Sequence, residues 1–293
     1  MKKFDLSQFD SYLTKTKKVS PSSAEAYCCD VKRFLDFLDI LGTDLFSATK
    51  TQVLEFMVDM QKKGKADASV CRAVSSLRTF YSYLLQNSIV KADPTIGINL
   101  PRAEKKVPSI LAPEEIDALL NVPDTTTPRA IRDKAMLEVM YASGIKVSEL
   151  VSLKLSDADT DLGYLRCCHT KNIRIVPLGK SAINALKNYL SEARPMLAKN
   201  GEDSLFVNCS GLPMSRQGFW KIIKEYAKKL KLKKDITPRT LRSSFALHLI
   251  ENGADLASVQ EMMGHKDISS TQSYAKLAHS RIREVYNKAH PRA

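Results

Sequence analysis

The chain has 293 residues and carries 45 Lys and Arg against 32 Asp and Glu, a formal charge of +13, with a pI near 9.4. A length well above about 150 residues suggests two cores rather than one, and the positive excess favours a polyanionic partner, nucleic acid first, over an acidic small molecule. Met1 to Asp10 lacks the apolar core of a secretory signal and no run of about 18 apolar residues occurs, so no membrane span is expected and the protein is read as cytoplasmic.

The first 90 residues read as helices. From Ser22 to Leu41, Ala26, Val31, Phe34, Leu35, Phe37, Leu38 and Leu41 recur at mostly helical spacing, opened by Pro21-Ser22 and closed by Gly42. Thr51 to Gln61 repeats the pattern with Val53, Phe56, Met57 and Met60. Ala68 to Leu85 does so again with Val70, Val74, Leu77, Phe80, Tyr81 and Leu84. With a shorter Phe4 to Leu13 segment these make a small helical bundle over residues 1–90. Between Lys91 and Pro113 the periodicity lapses into Asp93-Pro94, Pro101, Arg102, Lys105, Lys106 and Pro108. Prolines disfavour helix and stiffen the strand, so residues 91–108 are expected to form an extended basic linker.

The second domain, residues 109–293, opens with a capped helix from Pro113 to Leu120. A second helix, Arg129 to Ala142, ends at Ser143-Gly144, and a short one follows over Val147 to Leu153. Tyr164 to Cys168 and Ile173 to Leu178 are β-rich runs around His169-Thr170-Lys171-Asn172, a hairpin with a polar tip. Helices are expected at Ser181–Arg194, Ser215–Leu230, Leu241–Asn252, Leu256–Met263 and Ser280–Lys288, with a short strand at Leu205-Phe206-Val207. The six cysteines fall as Cys28-Cys29, Cys71, Cys167-Cys168 and Cys209, without a C-x-x-C. Cys167-Cys168-His169 invites thoughts of zinc, but neighbours in a strand point to opposite faces, so no metal and no cofactor is expected.

Candidate chemistry gathers near the C-terminus. Arg242 stands in Thr237-Pro238-Arg239-Thr240-Leu241-Arg242, and His265 and Tyr274 follow in Gly264-His265 and Thr271-Gln272-Ser273-Tyr274. An arginine that holds non-bridging oxygens, an imidazole on the same phosphate and a phenol that attacks phosphorus suffice to break a phosphodiester without a metal. An unperturbed phenol, of pKa near 10, is a poor nucleophile unless cations lie beside it. Tyr274 alone reads as a core tyrosine; Gly264-His265 and Thr271 upstream reverse that balance. His248 reads as a hydrogen-bonded packing residue.

These residues resemble the tyrosine recombinase (phage-type integrase) family, in which H-x-x-R is followed by G-H and then T-x-x-Y. The resemblance runs over nearly the whole chain and is closest to the Xer-like branch, as in Leu249-Ile250-Glu251-Asn252-Gly253-Ala254-Asp255-Leu256. It implies a mainly α protein: an N-terminal SAM-like core-binding bundle and a C-terminal helical catalytic domain with a small antiparallel β-sheet. It also implies that the two domains clamp double-stranded DNA, that four protomers, homo- or hetero-tetrameric, assemble on it, and that the activity serves chromosome partition.

Three positions depart from the family pattern. Lys146, in Gly144-Ile145-Lys146, stands where the family has arginine; Arg239 stands at the histidine of H-x-x-R; and His169 stands at the hairpin lysine, with Lys171 two places on. A lysine supplies a mobile point charge where an arginine supplies a rigid fork, and an arginine does not readily shuttle a proton. The implied catalytic set is therefore Tyr274, Arg242, His265, Lys146 and Arg239, with Lys171 preferred over His169 as the acid that protonates the leaving 5′ oxygen. The implied function is site-specific DNA recombination through a 3′-phosphotyrosyl bond, without ATP or metal. The alternative is a weakened recombinase-like DNA-binding protein acting as an accessory factor.

Overall fold

The computed structural model describes residues 5–100, 108–169, 172–232, 234–264 and Tyr274, and the chain divides into two compact units, Met1–Lys106 and Val107–Ala293.

In the first unit, α1 (Ser7–Ser11) runs into a π-helical turn (Tyr12–Thr16), followed by α2 (Pro21–Ile40), α3 (Lys50–Lys62) and α4 (Asp67–Gln86). Helix α2 starts where it does because Ser20 accepts the Ser23 amide and Pro21 occupies the first helical position. The apolar stripes meet in one core, with Phe9, Val31, Phe34, Val53, Val70, Leu77 and Phe80 wholly buried. Among the described residues, the Asp30 carboxylate is a charge buried inside it. The Asp30 carboxylate accepts two bonds from Arg72, at 2.8 and 3.0 Å, and further bonds from Arg33 and Ser76, which joins α2 to α4.

Residues 91–100, expected to begin the linker, instead pack on this bundle. Ile98 belongs to its core, and the backbone carbonyls of Gly97 and Ile98 accept bonds from Lys50 and Arg78. The apolar Val90 and Ile98 hold there what the prolines alone would leave extended. Residues 101–107, the most basic part of the expected linker, lie outside the described residues.

The second unit comprises α5 (Pro113–Asn121), α6 (Pro128–Ser143), α7 (Val147–Ser152), strands β1 (Ala158–Asp159), β2 (Tyr164–His169) and β3 (Asn172–Pro177), then α8 (Lys180–Asn188), α9 (Arg194–Leu197), α10 (Arg216–Lys229), α11 (Pro238–Glu251) and α12 (Leu256–Met263). The strands form one antiparallel sheet in the order β1-β2-β3, with Cys167 opposite Arg174 and His169 opposite Asn172. The expected hairpin is thus β2-β3.

The expected strand at Leu205-Phe206-Val207 joins no sheet. These three residues are buried, and their backbone is satisfied piecemeal: the Leu205 amide donates to Leu153 and the Phe206 carbonyl accepts from Met214. The helix expected over Ser181–Arg194 is α8 followed by a π-helical turn, Tyr189–Ala193. The helix expected at Ser280–Lys288 lies outside the described residues.

Helix α11 starts at Pro238, before the expected Leu241, because Thr237 caps it through the Thr240 amide and Pro238 takes the first helical position. Arg242 therefore sits in the second turn rather than at the helix N-terminus. The fold is mainly helical with one small antiparallel sheet.

Candidate active site

Every residue of α11 from Thr240 to His248 is buried, although five of the nine are polar. A buried polar side chain is costly unless it is bonded, and the partners of these five organise the site. Ser244 accepts the Leu111 amide at 2.9 Å and donates to the Thr240 carbonyl. His248 lies between the Tyr141 hydroxyl, 2.9 Å from Nδ1, and the Leu111 carbonyl, 3.0 Å from Nε2. That is the packing role the sequence suggests.

Arg242 is held differently. Its Nη1 donates to the Gly144 carbonyl and its Nη2 to the Met263 carbonyl at 2.6 Å. These two contacts fix the guanidinium between the glycine that caps α6 and the last residue of α12. Burial pushes its pKa down to about 10, against the pull of Glu149 and Tyr274. It is still cationic at neutral pH. A buried cation whose two amino groups rest on neutral carbonyls gains from an arriving anion, and a guanidinium fork suits a phosphate.

Two glycines make this approach possible. Gly144 has φ +57° and packs against the Phe245 ring so closely that a Cβ would lie 2.1 Å from it. Gly264 has φ +62°, and a Cβ there would lie 2.7 Å from an Arg174 nitrogen. Both positions need a left-handed backbone and an empty side-chain space. The G-I-K and G-H motifs therefore contain glycine for stereochemical reasons.

Beside Arg242 lies a second guanidinium. Arg174, on β3, makes paired bonds to the Glu149 carboxylate at 2.7 and 2.8 Å and donates through Nε to the Met262 carbonyl at 3.0 Å. The same carboxylate accepts the Lys146 amide at 2.7 Å, which caps α7. Burial works to raise the Glu149 pKa, but the bonds from Arg174 and Lys146 outweigh it and hold the carboxyl below its ordinary 4.5.

Of the six residues singled out from sequence, Arg242 and Tyr274 are brought together. Tyr274 is 7% exposed and packs with Phe245, Ala246, Val259 and Met263. Its hydroxyl shares a hydrogen bond of 3.3 Å with Ser243, the residue after Arg242. Lys146 is exposed at the N-cap of α7 and Arg239 is exposed in the first turn of α11. His265 and Lys171 lie outside the described residues, as does the side chain of His169. Arg174 stands at the arginine of the family's hairpin pattern, whereas Glu149 and Ser243 were not singled out. Glu149 had a signal, because an acid three places after the Lys146 cap is the pattern of a capping carboxylate. Among the described residues no three or more His, Cys, Asp or Glu gather as metal ligands.

Residues 109–281 match the phage integrase family, and residues 6–88 match the N-terminal SAM-like domain of phage integrases. The chain is 41% identical to the tyrosine recombinase XerD of Halalkalibacterium halodurans, over 99% of this chain and 98% of that one. It is 42% identical to the tyrosine recombinase XerD of Listeria innocua, over 98% and 99%. Among solved structures, XerA recombinase aligns with a TM-score of 0.56 at 26% identity, covering 98% of this chain and 99% of that one. The XerH site-specific recombinase, in a post-cleavage complex with a palindromic difH substrate, aligns with a TM-score of 0.75 at 20% identity, covering 96% and 84%. Matched along both units by family and by full-length relatives, the chain belongs to the phage integrase family as a Xer-like tyrosine recombinase.

Proposed function

We propose that this chain cuts and rejoins double-stranded DNA at a specific site, with Tyr274 as the nucleophile. The observation that supports it best is the pairing on α11 of a buried Arg242, supplied with carbonyls rather than carboxylates, and a Tyr274 hydroxyl bonded to the next residue. Arg242 holds the non-bridging oxygens of the scissile phosphate, with Arg239, Lys146 and His265 adding positive charge and hydrogen bonds around it. Tyr274 leaves Ser243, since at 7% exposure it is shut away from a duplex, and its oxygen attacks phosphorus as its hydroxyl proton passes to solvent. The new bond is a 3′-phosphotyrosine. The departing 5′ oxygen takes a proton from Lys171 or His169. Attack by the 5′-hydroxyl of a partner strand then reverses the step and restores the tyrosine. The ester conserves the bond energy, so neither ATP nor metal enters the balance.

The partner is duplex DNA, in keeping with the charge of +13 and with relatives solved on DNA substrates. The assembly we assign is a tetramer of this chain or of this chain with a related recombinase, working in the cytoplasm in chromosome partition. The Arg242–Tyr274 arrangement favours this enzyme over the accessory DNA-binding reading.

The test uses a nicked suicide duplex, from which the short 5′ fragment diffuses away after cleavage. A denaturant-resistant protein–DNA adduct is expected with the wild-type chain and none with Tyr274→Phe. Binding of the duplex without adduct in the wild type would establish the accessory reading instead.

A further inference from the structure

The apolar side chains of α11 favour burial but set no direction, whereas hydrogen bonds to fixed partners do. His248 makes two of them. Its Nε2 lies 3.0 Å from the Leu111 carbonyl, which can only accept, so that nitrogen carries the proton. In the neutral ring Nδ1 then accepts from the Tyr141 hydroxyl at 2.9 Å. The Leu111 amide donates to Ser244 at 2.9 Å, so side chains of α11 take up both backbone groups of Leu111. Tyr141 lies on α6, three residues before Gly144, whose carbonyl accepts Nη1 of Arg242. Gly144 in turn lies hard against the Phe245 ring. Arg242, Phe245 and His248, each three residues after the last, thus form one row along α11 that meets the end of α6.

We infer, given the proposed cleavage chemistry, that His248 is a positioning residue for Arg242: by tying α11 to Tyr141 and to Leu111 at once, it sets the register of α11 against the end of α6, and so the place where the guanidinium meets the scissile phosphate. Both of its ring nitrogens are engaged, so it acts through Arg242 rather than on the phosphate. The arginine depends on that register because its anchors, the Gly144 and Met263 carbonyls, belong to two other segments. A sliding α11 would draw the fork off one or both. Misplacement on the order of 1 Å can cost about 10²-fold in rate.

The experiment measures single-turnover cleavage at saturating DNA on two suicide duplexes, one with the ordinary scissile phosphate and one with a methylphosphonate in its place. A methyl group instead of a non-bridging oxygen removes the negative charge, so the reaction no longer draws on a guanidinium. Arg242→Gln sets the scale: on the phosphate it should be about 10²–10³-fold slower than wild type, and on the methylphosphonate within a few-fold of it. His248→Gln should follow the same pattern, about 10²-fold slower on the phosphate. Tyr141→Phe keeps the ring and its packing and removes the hydroxyl alone; it should be about 10-fold slower there. Both should bind the duplex with wild-type affinity and come within a few-fold of wild type on the methylphosphonate. A misfolded chain would be slow on both duplexes, so this recovery also separates positioning from a folding defect. Equal slowing on both duplexes would leave His248 part of the scaffold alone, and wild-type rates on the phosphate would detach it from Arg242; either overturns the inference. A wild type that forms no adduct on either duplex would overturn the cleavage chemistry, and the role of His248 with it.

Discussion

At the scale of single residues, the site is built from groups whose surroundings change their behaviour. Arg242 shows this most directly: the same guanidinium that would sit solvated on a surface is here lowered to about 10 by burial and aimed by two backbone carbonyls. Lys146 and Arg239 contrast with it, both being exposed. An arginine at 146 would grip two phosphate oxygens, and a histidine at 239 would bond the phosphate while still able to pass a proton. The double variant Lys146→Arg/Arg239→His is therefore expected to form adduct on the suicide duplex about 10-fold faster than wild type. No gain would mean that these two positions are matched to a different local geometry.

Tyr274 and Arg242 stand out in the sequence through their resemblance to the family's motifs, and Gly144 and Gly264 through the left-handed turns that end their helices. Ser243 does not, since a serine between two named residues carries no periodicity and no charge. Only its place beside Tyr274 in the fold gives it a role.

Among elements, the helices followed from apolar spacing and from start signals such as Ser20-Pro21 and Thr237-Pro238. The errors have physical causes too. Reading α11 from Leu241 overlooked that a threonine followed by proline is itself the helix start. Reading Leu205-Phe206-Val207 as a strand mistook burial for pairing, because a fully buried extended segment shows the same apolar run as a central strand. The ion pairs that tie elements together were illegible, as their partners lie far apart in the chain. The Asp30–Arg72 pair joins α2 to α4, and the Glu149–Arg174 pair joins α7 to β3.

The clamp among β3, α7 and α12 has a predictable response to pH. The folded-state pKa of Glu149 lies below its ordinary 4.5, so its contribution to stability is complete above that value and is lost as pH falls through the lower folded one. Wild type should thus be more stable to urea than Arg174→Gln/Glu149→Gln at pH 7, and the gap should narrow below about pH 4.5. A gap that stayed constant on acidification would show that the carboxylate charge contributes nothing to holding the three elements.

For the whole molecule, the question is how the positive charge is shared. Residues 1–106 hold 17 Lys and Arg against 12 Asp and Glu, and the remainder holds 28 against 20. Both units are basic, so neither is a neutral passenger on a DNA-binding partner. Each phosphate neutralised releases condensed counterions, and the logarithm of the affinity falls with the logarithm of salt with slope of about −0.9 per phosphate. A duplex engaged by both units, at about 6–10 phosphates per protomer, should lose on the order of 10³–10⁵ in affinity between 50 and 200 mM salt. A chain held through one unit alone would show a slope of about half that. The measurement is an equilibrium titration of the full chain on duplex DNA across that range, repeated with EDTA. The slope should be unchanged by the chelator, because the charge that meets the phosphates comes from lysine and arginine side chains. A shallow slope would mean that many of the 45 Lys and Arg side chains are held in ion pairs such as Lys154–Asp203 and Lys187–Asp161, leaving the duplex to be held by few phosphate contacts.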